Sequence, residues 1–153
     1  MFEKILVCLD GSKLAEQILP YATEEALHFH SQVVLFHVVA EPVIVSPGIP
    51  GAAGVLVRTP GMLAQMQKEQ NEASSYLERV AGQLREKGLA VEPVVFQGAA
   101  GDAIISYAND NDIGLIAIAT HGRSGLGRAV FGSVADYVLR NSGLPILVIR
   151  PVG

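Results

Sequence analysis

Residues Ile116–Ser133, IAIATHGRSGLGRAVFGS, carry the strongest structural signal in this chain. An apolar run ends in a polar, glycine-rich loop, and the loop leads to Gly132-Ser133 at the predicted start of a helix. A strand, a glycine loop and a helix N-terminus in this order form a cradle for phosphate, because the first N–H groups of a helix have no partner within it. The sequence therefore predicts an anion site where the loop meets the helix.

The composition indicates the class of protein. The chain has 153 residues, of which 50% are hydrophobic and 17% are charged, and this is typical of one compact domain spanning residues 1–153. Its formal net charge of -4 and its scattered basic side chains argue against a nucleic-acid partner. Cys8 is the single cysteine, which suits a reducing compartment. With no leader-like pattern and no apolar run of ~20 residues, we expect a cytoplasmic protein without a membrane segment.

Five apolar runs alternate with amphipathic segments along the chain. The runs predict strands over Lys4–Leu9, Gln32–Val39, Ala90–Phe96, Ile113–Ala119 and Ile146–Ile149. The segments between them predict helices over Lys13–His30, Met62–Lys87, Ala99–Asn109 and Ser133–Asn141. Because the strands are continuously apolar and alternate with helices, we predict an α/β fold with a doubly wound, five-stranded parallel sheet and helices on both faces.

Proline and polar residues add local expectations. Ser12 is expected to cap the first helix, and Pro20 to bend it. Pro93 favours an edge position for the third strand. Ser133 and Asp136 resemble a capping box at the last helix. The Pro- and Gly-rich stretch 41–61 is too broken for a regular element, and we expect a flexible loop there.

The ends of two strands point to one crevice. Asp10 closes the first strand and Ala119 closes the fourth. In doubly wound sheets, ligands bind beyond the carboxyl ends of the strands, where the strand order reverses. If these strands are neighbours, Asp10 and the glycine loop lie on either side of the same ligand site.

Three stretches of the chain resemble the universal stress protein family. They are ILVCLDGS at 5–12, VVLFHVV at 33–39 and IAIATHGRSGLGRAVFGSVADYVLRNSGLPILVIRP at 116–151. The resemblance covers the whole chain, and the C-terminal third is its most specific part. It implies a Rossmann-like fold of the adenine nucleotide alpha hydrolase type, a role in the stress response and a homodimer. Because the last strand, ILVI at 146–149, is a hydrophobic edge and such edges tend to be covered, we expect the dimer to form through it.

Members of this family that bind ATP carry a Gly, two residues, a Gly, nine residues and then Gly-Ser or Gly-Thr. Gly122, nine intervening residues and Gly132-Ser133 match the second and third elements, whereas Ala119 stands where the first Gly is expected. An Ala forced to positive φ costs about 1–2 kcal/mol, or about tenfold in affinity. Since Ala119 ends an apolar strand, we expect ordinary strand angles and a small cost.

The resemblance also implies roles for individual residues in ATP binding. Phosphate binding is implied for Gly122, Gly132, Ser133 and the backbone of Val134. Asp10 is implied at the ribose and adenine side, the main chain of Val33 at the adenine edge, and the Ile118–Ala119 backbone at the ribose. Mg²⁺ or Mn²⁺ would arrive with the nucleotide, held mainly by phosphate oxygens. The sequence predicts no protein metal site and no catalytic residue.

Several of these side chains have a second interpretation. Asp10 also fits a simple Asp-Gly-Ser turn. His121 could donate to a phosphate or act as an acid or base, or it could be a solvated loop residue. Arg123 and Arg128 could pair with phosphates or be solvated. Cys8 lies on the strand face of Asp10, and we interpret it as a buried, inert thiol.

The sequence is compatible with three functional hypotheses. The first is a regulatory protein that binds ATP and thereby biases contacts with a partner. The second is a dimeric interaction module without nucleotide, to which only Ala119 points. The third is an enzyme, either a slow ATPase or a relative of the ATP pyrophosphatases, although the Walker lysine and the SGGxDS motif of those pyrophosphatases are absent from the sequence.

Overall fold

The computed structural model describes residues 1–41, 59–121 and 132–153. The strands are β1 (Lys4–Cys8), β2 (Gln32–Val39), β3 (Val91–Gln97), β4 (Leu115–Ala119) and β5 (Ile146–Ile149). The helices are α1 (Lys13–Glu16), α2 (Leu19–Phe29), α3 (Pro60–Glu86), α4 (Ala100–Asp110) and α5 (Ser133–Asn141). All strands pair in parallel in one sheet, in the order β3-β2-β1-β4-β5. The predicted doubly wound parallel sheet is therefore confirmed.

Alternate side chains of each strand enter two different cores. Ile5 and Val7 of β1 pack in a cluster with buried side chains of α2 and α3. Leu6 and Cys8, one residue out of phase, pack in a second cluster with buried side chains of α4 and α5. Since both faces of the sheet are covered, the strands have to be apolar at nearly every position.

The strand order reverses between β1 and β4. The chain runs outward from β1 through β2 to β3, and then returns to place β4 on the other side of β1. Leu6 of β1 therefore pairs with Val34 on one side and with Ile116 on the other. This reversal leaves a crevice at the carboxyl ends of β1 and β4, as the sequence predicts.

The structure corrects the first predicted helix, Lys13–His30. Two helices occupy this stretch, because α1 ends at Glu16 and α2 begins at Leu19. Pro20 lies in the first turn of α2, where its missing N–H costs nothing, so that it starts a helix instead of bending one. The predicted cap of α1 is confirmed, since the Oγ of Ser12 accepts a hydrogen bond from the N–H of Ala15 at 3.1 Å.

The predicted capping box of α5 is wrong. Its N-cap is Gly132, which has no side chain with which to cap, and Ser133 is the first helical residue. Asp136 instead accepts from the Nε of Arg140 one turn along the helix, at 2.9 Å. The N-terminus of α5 therefore carries no side-chain cap.

Two further expectations concern chain ends and edges. Pro93 lies in β3, which is an edge strand as predicted. The predicted loop 41–61 is shorter at its end, because Pro60 and Gly61 already belong to α3, which Thr59 caps. Residues 42–58 lie outside the described residues. Among the helices of 1–41, 59–121 and 132–153, none has the length and apolarity needed to cross a bilayer.

Candidate functional site

A cavity of about 250 Å³ opens at the carboxyl ends of β1, β2 and β4. Apolar side chains line its interior, among them Phe36, Val38 and Ile118. Polar groups lie at its rim, among them Asp10 and His121. An apolar cavity with a few polar groups is the usual form of a small-molecule site, and its volume lies near the lower end of such sites, about 300 Å³.

The N-terminus of α5 faces this cavity. Ser133, Val134 and Ala135 all line it. The first hydrogen bond of the helix runs from the N–H of Asp136 to the carbonyl of Gly132, at 2.9 Å. The three preceding N–H groups therefore have no carbonyl of the helix to bind, and they carry the positive end of its dipole. They form a site that favours a negatively charged ligand group.

A close contact with another part of the backbone requires a glycine at position 132. A Cβ atom added at this position would lie 1.8 Å from the carbonyl oxygen of Thr120. Its φ of -55° is ordinary, so the requirement is one of space and not of backbone conformation. The contact brings the start of α5 against the end of β4, and any side chain at position 132 would force the two apart.

Asp10 lies in the wall of the same cavity, two residues after the end of β1. Its Oδ1 accepts a hydrogen bond from the N–H of Ser12 at 2.9 Å, which is the turn chemistry that the sequence predicts. The same residue lines the cavity. The turn thus holds the carboxylate in place on a residue of the cavity wall. Its role in binding a ligand stays a prediction.

Ala119 is the last residue of β4 and lies in the cavity wall beside Ile118. It pairs in register with Ile149 of β5. In the described part of the chain, the non-glycine residues with positive φ are His30 and Asp112. Ala119 therefore keeps ordinary strand angles, as expected, and no backbone strain opposes an alanine there.

The structure does not bring Val33 to the cavity. This residue lies at the amino end of β2, in register with Ile5, and its N–H donates to the carbonyl of Ala90 at 2.8 Å. The cavity opens at the carboxyl end of the same strand, where Phe36 and Val38 line it. The implied contact of Val33 with adenine is therefore corrected, because its N–H already serves the sheet at the wrong end of the strand.

The sequence reasoning missed Phe36 and Val38. The signal was present, since both lie in the second half of the predicted strand VVLFHVV, and the carboxyl ends of parallel strands form the ligand side of the sheet. Gly122, which is implied at the phosphates, lies outside the described residues, as do Arg123 and Arg128. Gly132, Ser133, Val134, Ile118, Ala119 and Asp10 all line the one cavity.

Two further features limit the chemistry of the site. Cys8 lines the cavity, but burial raises the pKa of its thiol to about 12, so it is protonated and inert at neutral pH. Within residues 1–41, 59–121 and 132–153, no three His, Cys, Asp or Glu side chains come together as metal ligands. The described residues that line the cavity supply hydrogen-bond donors, hydrogen-bond acceptors and apolar surface, which are suited to binding a small molecule.

Comparison with known proteins identifies a family of the same length and fold. The sequence matches the profile of the universal stress protein family over residues 1–150. Universal stress protein MJ0577 from Methanocaldococcus jannaschii is 26% identical over 158 aligned positions, covering 98% of this chain and 96% of that protein. The solved structure of MJ0577 matches with a TM-score of 0.84 at 25% identity, covering 100% of this chain and 99% of the other.

Two solved structures of the same fold hold adenine nucleotides. A universal stress protein family protein from Arabidopsis thaliana with AMP bound has a TM-score of 0.67 at 15% identity, covering 98% of this chain and 92% of the other. A universal stress protein in complex with cAMP has a TM-score of 0.66 at 17% identity, covering 97% of each chain. At these identities the likeness to this chain is one of fold.

Substitution of Gly132 tests the close contact. We expect Gly132→Ala to destabilise the fold by about 1–3 kcal/mol, because its Cβ overlaps a backbone carbonyl that cannot move without displacing β4. Urea denaturation gives the free energy of unfolding. Gly82→Ala is the matched control, since Gly82 lies inside α3 with nothing within 4 Å of an added Cβ, and it should stabilise by about 0.5–1 kcal/mol. Equal changes in the free energy of unfolding for the two substitutions would contradict the close contact between position 132 and the carbonyl of Thr120.

Alkylation of Cys8 tests its burial. A shift of the thiol pKa from 9.0 to about 12 leaves the folded protein about a thousandfold less thiolate than the unfolded chain at about pH 8. Iodoacetamide should therefore label Cys8 only in urea, as read by mass spectrometry, and fast labelling of the native protein would contradict this.

The stability that this neutral thiol contributes is fully present below the unfolded pKa and is lost as the pH rises from 9.0 to about 12.

Proposed function

Because the chain belongs to the universal stress protein family, we propose that it binds an adenine nucleotide, ATP, as a regulatory ligand in the cavity at the β1–β4 crevice. The observation that carries the proposal is the uncapped N-terminus of α5, whose first residues line the same cavity as Asp10 and the apolar side chains of β2. Anion donors, a fixed carboxylate and an apolar interior match the phosphates, the sugar and the base of a nucleotide.

The phosphates belong at α5, not at α4. Both helices begin at the carboxyl side of the sheet, and Ala100 of α4 also lines the cavity. The first turn of α4 contains Asp102, whose carboxylate accepts a hydrogen bond from the hydroxyl of Tyr137 and repels an anion from the positive end of this helix. The acid in the first turn of α5 is Asp136, and Arg140 neutralises its charge by an ion pair at 2.9 Å. The field at α5 therefore favours phosphate more strongly.

The sugar and the base belong on the side of β1 and β2. The carboxylate of Asp10 repels phosphate but accepts hydrogen bonds from ribose hydroxyl groups. Beyond it, Phe36 and Val38 offer apolar surface on which a base can lie. A divalent cation, Mg²⁺ or Mn²⁺, would be held by the phosphate oxygens, since the described residues offer no cluster of three ligands.

Titration with ATP tests the proposal. Isothermal titration calorimetry in the presence of Mg²⁺ should show binding of ATP and AMP at micromolar to millimolar concentrations. Ala119→Gly should change the affinity by less than about tenfold, because Ala119 already has ordinary strand angles. A larger gain would mean that the natural site is impaired. If well-folded protein binds no adenine nucleotide at millimolar concentrations, the proposal is wrong and the protein is an interaction module instead.

We also propose that the protein works in the cytoplasm as a homodimer paired through β5. This strand is one of the two edges of the sheet in the described part of the chain, and it is half-buried along its length. The N–H of Ile116 in β4 binds the carbonyl of Pro145, and the N–H of Thr120, directly after β4, binds the carbonyl of Ile149. Since the direction of backbone groups alternates along a strand, the N–H of Val148 points to the open edge, where a second copy can pair with it.

Substitution of Val148 tests the dimer. Val148→Pro removes one outward N–H and leaves the bonds to β4 in place, as prolines on edge strands do. We expect the natural chain to sediment as a dimer and Val148→Pro as a folded monomer, with Val148→Thr as the control that stays dimeric. Analytical ultracentrifugation with circular dichroism measures both properties. A monomeric natural chain would contradict the proposal.

A further inference from the structure

We propose that His121 distinguishes phosphorylated ligands from nucleosides at this site, and that Thr120 is its positioning residue. In this proposal, Thr120 is the donor in the contact between its Oγ1 and the Nδ1 of His121, so that the ring proton lies on Nε2 and is available to a phosphate oxygen. This inference rests on the proposed nucleotide site and names the side chain that recognises the charged end of the ligand.

The position of His121 follows from the contact between β4 and α5. His121 lines the cavity together with Ser133 and Val134 of the first helical turn. Its backbone nitrogen lies 3.8 Å from the place of a Cβ on Gly132. The imidazole therefore starts from the backbone beside the first N–H groups of α5, which have no carbonyl partner within the helix, and there the helix favours an anion.

Thr120 fixes the orientation of the imidazole. Its side chain is 5% exposed, and its own N–H is anchored to the carbonyl of Ile149 at 2.9 Å. The Oγ1 of this anchored residue lies 3.0 Å from the Nδ1 of His121. A buried hydroxyl needs a hydrogen-bond partner, and the ring nitrogen provides one, so that a single bond satisfies Thr120 and directs the ring.

The tautomer decides what the ring can bind. If Thr120 donates to Nδ1, the neutral ring carries its proton on Nε2 and remains a donor when it is charged as well. The reverse arrangement would leave a lone pair on Nε2, which would repel a phosphate oxygen. Because the adjacent helix end attracts anions, the Nε2–H form is the one that complements the expected ligand.

A hydrogen bond to a charged phosphate is stronger than one between neutral groups. Its loss should lower affinity by about tenfold to a hundredfold. Adenosine has no phosphate and should not lose affinity, because its base and sugar lie toward Asp10 and Phe36. The ratio of AMP affinity to adenosine affinity therefore isolates the role of His121 from a general disturbance of the fold.

The experiment compares AMP, ATP and adenosine by calorimetry on matched variants. His121→Ala should weaken AMP and ATP by about tenfold to a hundredfold and leave adenosine unchanged. His121→Gln keeps a donor near the place of Nε2 and should restore most of the loss. Thr120→Val should lower AMP affinity, whereas Thr120→Ser, which keeps the hydroxyl, should not. His28→Ala removes an exposed histidine of α2 and should have no effect.

Imidazole nitrogen shifts in the NMR spectrum of the free protein give a second, independent readout. We expect His121 to carry its proton on Nε2, and Thr120→Val to mix the two tautomers. A proton on Nδ1 in the natural protein, or equal AMP affinity in His121→Ala, overturns the inference while the proposed function stands. A natural chain that binds neither the nucleotides nor adenosine overturns the proposed function, and the inference falls with it.

Discussion

The contact of Gly132 with the carbonyl of Thr120 holds the binding face of this fold together. It brings the first turn of α5 against the last residues of β4, at a distance that no side chain on residue 132 could allow. Three helix N–H groups, the end of β4 and the imidazole of His121 consequently border one cavity. The glycine thus acts through the packing of protein on protein. A glycine in a phosphate-binding motif is commonly assigned to close approach of the ligand, but here the nearest backbone is that of the chain itself.

The cavity and the core beneath α3 lie mainly on opposite faces of the sheet. On one face, α3 covers β1 and β2 with large buried side chains such as Leu77 and Val80. On the other, the cavity lies among the ends of β1, β2 and β4 and the first turns of α4 and α5. A ligand that binds there adds its own binding free energy to the stability of the folded state. The α3 face supplies a core that does not have to open for that ligand to enter.

Much of the fold could be predicted from the sequence, because apolar runs and glycines constrain it directly. β2, α5 and β5 occupy their predicted bounds, and Gly88, with a φ of +89°, directly follows the C-cap of α3. The predictions were wrong where one residue type is compatible with two local structures. Pro20 is as compatible with a helix start as with a bend, and nothing local reveals that the chain turns at residues 17–18. Likewise, Asp136 suits both a capping box and an ion pair with Arg140.

The site was predictable only in part, since its geometry depends on pairing across the sheet. Asp10, Ala119 and Gly132 could be placed because each closes a strand or opens a helix. The family resemblance placed Val33 at the ligand, which is wrong. The parallel sheet excludes Val33 from the cavity, because only the carboxyl end of β2 borders it. Phe36 and Val38 are at that end, and their apolar character hides them among core residues. In such a sheet, the position of a residue along its strand is therefore a better guide to ligand contact than its chemical type.

Ala119 shows how the same geometry accommodates a departure from the family pattern. It ends β4 with ordinary strand angles and pairs with Ile149, so that its methyl group needs room but no unusual backbone. Position 132 differs, because there the nearest atom is a fixed carbonyl and not a ligand that can shift. The two glycine positions of the motif thus differ in their tolerance for a side chain: at the first, a bound ligand would set the limit, whereas at the last the carbonyl of Thr120 sets it. An alanine at 119 is therefore compatible with an intact site, whereas one at 132 disturbs the site itself.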